Sequence, residues 1–105
     1  MEATSLRFAT AARALGSAAR QRGLTVPVFR SPPRVDGAER TLQRTPAGGA
    51  TVAVRLRGRP FVAVVADMVE GVVVANELSG TDATRVRTAL WGAVVADGGG
   101  EMQAA

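Results

Sequence analysis

The 105-residue sequence predicts an α+β domain: an antiparallel sheet, a meander of three to five short strands, with an N-terminal and a C-terminal helix packed on it. Three observations carry this. From Thr51 to Glu77 the chain reads TVAVRLRGRPFVAVVADMVEGVVVANE, three valine-rich apolar runs, each closed by a turn signal. On either side of it, residues 4–22 and 79–97 repeat their apolar residues at helical spacing instead. Finally, 47% hydrophobic residues suffice for one modest core, whereas no apolar run approaches the roughly 20 residues that span a bilayer.

In the first helix Phe8, Ala12, Leu15 and Ala19 share one face, and Thr10, Arg13, Ser17 and Arg20 another. Gly23 ends it, because the residue after a helix favours the left-handed conformation, and Leu24 then folds back on Ala19. Acidic Glu2 and the arginines Arg7 and Arg13 interrupt any secretory core, so the segment reads as a native helix and the protein as cytoplasmic. TVPVFR (25–30) is extended, an edge strand because Pro27 lacks an N–H. SPPRVDGAE (31–39) is a loop, stiff at Pro32-Pro33 and turning at Asp36-Gly37. RTLQRT (40–45) alternates as a short polar strand with Arg40, Leu42 and Arg44 on one side, and PAGGA (46–50) turns the chain.

The meander follows. Val52, Val54 and Leu56 point one way and Ala53, Arg55 and Arg57 the other. Gly58 supplies the turn at Arg57-Gly58-Arg59-Pro60. Phe61 to Ala66 and Val72 to Ala75 are apolar on both faces, which reads as two covered strands joined by a turn at Asp67 to Gly71. Ser79 then caps the second helix, with Asp82 reaching back in a capping box. Its buried stripe is Ala83, Val86, Leu90 and Ala93 or Val94, and Trp91 is spaced to stack on Arg87. Residues 1–97 make one domain; 98–105, opened by glycines, are expected to be a disordered tail.

The absences are sharp. There is no Lys, His, Tyr, Cys or Ile, and one Asn; Ala, Gly, Arg, Pro and Val dominate. This is the imprint of a GC-rich genome. In FRSPPR and GRPFVAVVADMVEGVVVAN the chain resembles uncharacterised small basic proteins of GC-rich actinobacteria. That resemblance implies a source and brings no activity with it.

Composition also removes most enzyme classes. Acid–base catalysis draws on His, Glu, Asp, Lys, Tyr and Cys, and four of the six are missing. No Ser–His or Cys–His pair can form, no phosphate-loop lysine exists, and soft metals lack their ligands. Only a carboxylate-metal hydrolase survives, built from Asp36, Glu39, Asp67, Glu70 and Glu77. Asp67 and Glu70 fit a hairpin turn and Asp36 an Asp-Gly turn, where carboxylates are solvated more often than they are ligands. The sequence therefore points to no enzyme, no cofactor and no metal.

Thirteen arginines against nine acids give a net charge of +4, which invites a polyanionic partner. Arg55, Arg57 and Arg59 lie on one strand and its turn, Arg30 and Arg34 flank the Pro-Pro loop, and Arg40 and Arg44 share a neighbouring strand. Were those strands adjacent, one rim of the sheet would carry all seven. The expectation is thus a non-catalytic accessory module whose arginine rim contacts nucleic acid. The alternative is a protein–protein adaptor working through the sheet edge or an apolar face. Strands apolar on both faces, served by only two helices, further suggest a homo-oligomer that covers the remaining face.

Overall fold

The computed structural model describes residues 2–30, 40–46, 48–56 and 58–98, with the backbone alone for 2–6 and 98. Its elements run α1 (Glu2–Gln21), β1 (Val28–Arg30), β2 (Arg40–Arg44), β3 (Ala50–Val54), α2 (Phe61–Ala75) and α3 (Gly80–Gly98). They stack in three layers. The sheet lies on one side of α2, and α1 and α3, packed on each other, lie on the other.

The α+β class holds, with a helix at each end, but the expected meander is corrected in two respects. Phe61 to Ala66 and Val72 to Ala75 are not strands, and Asp67 to Gly71 is not a turn; all belong to α2. The sheet has three strands in the order β1-β3-β2, with β1 parallel to β3 and β2 antiparallel to it, so it is mixed. A helix that is apolar around most of its circumference is a helix enclosed on most sides. Val64, Val65, Met68, Val69, Val72 and Val73 are all buried, some against the sheet and some against the helix pair. Valine loses up to about 0.7 kcal/mol per residue in a helix relative to alanine. Burying it returns roughly 1.5 kcal/mol or more, so enclosure wins.

Several other elements match the sequence reading, although β3 ends at Val54 and leaves Arg55 past the strand. In α1, Phe8, Leu15 and Ala19 are buried and Ala12 partly so, while Thr10, Arg13, Ser17 and Arg20 are exposed. Gly23 sits at φ 73°, Gly23 N–H donates to Arg20 O and Leu24 N–H to Ala19 O, which closes the helix as a Schellman motif. Gly58 has φ 69° and turns the chain, though into a helix rather than a strand. In α3 the residues Ala83, Val86, Leu90 and Val94 are buried. That helix starts at Gly80, next to the expected cap Ser79, whose carbonyl accepts from Ala83 N–H. The expected loop at 31–39 and tail at 99–105 lie outside the described residues.

Two features fix α2 in place. Gly71 faces the sheet at its closest approach, against Val52 and Phe29. At the other side of the helix end, Asn76 Oδ1 accepts from Thr25 N–H (2.8 Å) while its Nδ2 donates to Thr25 O and Val72 O (both 2.9 Å). This one side chain ties the connection before β1 to the end of α2. The covering of the apolar runs within a single chain also removes the reason for which the sequence demanded a second subunit.

Candidate functional site

The sheet has two unlike faces. Register places Phe29, Val52 and Leu42 in one row, with Arg40 beside Val54 and Arg44 beside Ala50 in the flanking rows. These side chains face α2, since Val52, Val54 and Ala50 are buried. The opposite face carries the rows Val28–Thr51–Gln43 and Arg30–Ala53–Thr41. Among the described residues no helix packs on it. Val28 is 63% exposed there, and Arg30 is the single charge among the described strand residues.

On the α2 side the charges alternate along a ladder. Arg59, at the junction before α2, donates to Arg55 O (3.0 Å) and Ala63 O (3.4 Å) and meets Asp67 Oδ2 at 2.5 Å. Arg40 of β2 stands 3.9 Å from Asp67 Oδ1. Glu70, one helical turn further, accepts two bonds from Arg87 of α3, at 2.6 Å to Nε and 3.0 Å to Nη2. That hydrogen bonding lowers the Glu70 pKa; burial opposes the shift, and the positive charges of Arg87 and Arg40 add to it. The same pairing raises the pKa of Arg87. Arg87 is thus bound to Glu70, where the sequence had offered Trp91. Arg44 donates to the last carbonyls of α2, Ala75 O and Val74 O, both at 3.1 Å, and lies 3.8 Å from Glu77. Cations belong at that end, where helix carbonyls lack partners.

The seven arginines singled out from sequence are therefore not one rim. Arg40, Arg44 and Arg59 face acids and helix carbonyls beneath the sheet. Arg30 stands on the open face, and Arg55 is half-buried just past β3. Arg34 and Arg57 lie outside the described residues. The acids change role likewise. Asp67 and Glu70 hold arginines from α2 instead of marking a turn, Glu77 stands near Arg44 in the turn after α2, and Asp36 and Glu39 are not described. Among the described residues no group of three or more His, Cys, Asp or Glu is placed to hold a metal ion. Sequence reading missed the ladder, although Asp67 and Glu70 are spaced i, i+3 and would have shared a helix face had the segment been read as helical.

Two cavities are lined by described residues. An open groove of about 500 Å³ between α1 and α3 is lined by Arg13, Ser17, Ala18, Ala93 and Asp97 among others. A smaller one of about 100 Å³ lies under Arg7, whose guanidinium stacks 4.0 Å above the Phe61 ring. Neither gathers groups that could do chemistry. Among the described residues no helix is long and apolar enough to cross a membrane. No protein family, curated protein or solved structure matches the chain.

Proposed function

We propose that the protein is a non-catalytic binding module whose sheet takes up an extended segment of a partner protein. One observation carries the reading: the sheet is covered on one face only, and both of its outer strands end in open edges among the described residues. Three strands about 4.8 Å apart and up to five residues long offer roughly 240 Å². A stable protein–protein interface needs about 800 Å² per partner, so the face is sized for a peptide. The absence of His, Lys, Tyr and Cys, and the pairing of Asp67, Glu70 and Glu77 with arginines, support a role without catalysis.

Nucleic acid is the second reading, favoured by the +4 charge and by Arg30 on the open face. It is the weaker one, because Arg40, Arg44 and Arg59 turn toward α2 and leave Arg30 alone on the open face among the described strand residues. Selection of twelve-residue peptides from a phage library, followed by amide chemical-shift mapping with an enriched peptide, tests the proposal. Shifts confined to β1, β2 and β3 are expected. Failure to enrich any peptide, or shifts confined to α1 and α3, would overturn it. A gel shift of duplex DNA, single-stranded DNA or RNA at low salt would put nucleic acid in its place, and light scattering at a dimer mass would restore self-association.

A further inference from the structure

We propose that the outer edge of β2, unpaired among the described residues, accepts the partner segment as a fourth strand, and that this segment carries two acidic side chains four residues apart about an apolar one. The inference rests on the peptide-binding reading above and specifies its edge and its ligand. The hairpin sets the phase of the edge. Thr45 N–H donates to Gly49 O at 3.0 Å, and the register continues through Gln43↔Thr51 and Thr41↔Ala53. In an antiparallel pair, residues bonded to the neighbour alternate with residues whose N–H and C=O point away. Thr41 and Gln43 therefore bond β3, while Arg40, Leu42 and Arg44 offer their backbone groups at the free edge.

The same three residues turn their side chains toward α2, so a strand added there would place alternate side chains beside theirs. Leu42 is only partly buried, and Val74, whose carbonyl Arg44 grips, is 38% exposed. An apolar side chain in the middle of the segment would extend the row Phe29–Val52–Leu42. At either end stands a guanidinium with capacity left. Arg40 reaches Asp67 only at 3.9 Å, an ion pair without a hydrogen bond, and the two bonds of Arg44 use two of its five N–H groups. Acidic side chains four apart would meet Arg40 and Arg44 together. A second copy of this chain fits poorly: antiparallel pairing centred on Leu42 sets Arg40 of one copy opposite Arg44 of the other, and like charges directly opposite destabilise a sheet.

Fluorescence polarisation tests this with three labelled nine-residue peptides. One bears glutamates four residues apart about a central valine, one has glutamines instead, and one is the glutamate peptide N-methylated on the amides that would face β2. The glutamate peptide is expected to bind about tenfold tighter than the glutamine one, as charge-assisted hydrogen bonds are roughly twice as strong as neutral ones. N-methylation should abolish binding. Arg44→Gln should reduce the preference for glutamate. Leu42→Pro should abolish binding with the β3 ladder retained, since that N–H points outward; should it unfold the protein, the methylated peptide makes the same test on the unaltered chain. Binding indifferent to N-methylation would reduce the effect to charge attraction and overturn the proposal, as would equal affinity for the glutamate and glutamine peptides. Failure of all three peptides, alongside a library peptide that shifts β1 or the open face, would overturn the β2 edge and leave the peptide-binding reading standing.

Discussion

Gly71 is the position where α2 comes closest to the sheet, and replacing it by alanine sets two effects of known size against each other. A Cβ there would stand 2.9 Å and 3.1 Å from the two γ-methyls of Val52 and 3.4 Å from Phe29 Cε1. Val52 is fully buried in the central strand, and its β-branched side chain has little rotamer freedom with which to retreat. Overpacking of this kind costs about 1–3 kcal/mol. Against it, alanine gains about 0.8–1.0 kcal/mol over glycine in a helix interior. Gly71→Ala is therefore expected to destabilise by up to about 2 kcal/mol. Gly92 of α3 has open space where its Cβ would be, so Gly92→Ala should stabilise by about 0.8–1.0 kcal/mol. Because helix propensity enters both substitutions alike, their difference in urea denaturation isolates the steric cost. Val52→Ala should relieve it, giving a coupling of at least about 1 kcal/mol with Gly71→Ala in a double-mutant cycle. If Gly71→Ala stabilised as much as Gly92→Ala, the close approach of α2 to β3 would be wrong.

Glu77 is a non-glycine residue in the left-handed region, at φ 54°, so Glu77→Gly should raise stability by roughly 1 kcal/mol; a lower urea midpoint would refute the strain. Asn76→Ala removes three hydrogen bonds at the end of α2 and should cost about 1–3 kcal/mol, read in the same assay, whereas an unchanged midpoint would show that the tie to Thr25 does not form in solution. Met68→Ala empties the middle of the buried helix and should cost about 2–5 kcal/mol; a loss under 1 kcal/mol, on the order of a surface change, would place α2 outside the core. The Glu70 pKa is lowered in the folded state, so the stability it contributes is complete above its ordinary value of 4.5 and disappears as pH falls through the lowered one. The stability gap between wild type and Glu70→Gln should accordingly narrow between pH 6 and pH 3, and a constant gap would mean that the bond to Arg87 does not hold.

What was legible in the sequence were the elements with two distinct sides or a distinctive end. The exposed row of α1, its Gly23 cap, the turn at Gly58 and the buried stripe of α3 each leave a local signature. Arg40, Leu42 and Arg44 share a face as alternation requires. The segment 61–75 has little such sidedness: periodicity reports the boundary between buried and exposed, and where only Val74 is exposed no clear period remains. Valine enrichment then favoured strand, although fifteen residues without a proline and with a single glycine suited a helix. The parallel pairing of β1 with β3 left no mark either, because strand order is set by contacts distant in sequence. The arginines were misjudged for a related reason. Their number is a property of composition, but whether each faces solvent or a carboxylate depends on Asp67 and Glu70 lying on a helix that the valines disguised.

The enclosure of α2 has a consequence for the chain before it folds. Unfolded, FVAVVADMVEGVVVA is an apolar segment of high β-propensity with two acids as its only charges, the composition from which intermolecular sheets assemble. It is a helix only while the sheet and the helix pair hold it from both sides. A substitution that loosens α1 or α3, leaving every residue of α2 intact, would still release this segment to pair with copies of itself. Damage to the outer layers should therefore appear as aggregation during expression, and the acids at 67 and 70, which steady the arginine ladder in the folded state, are also what interrupts the run when the fold is lost.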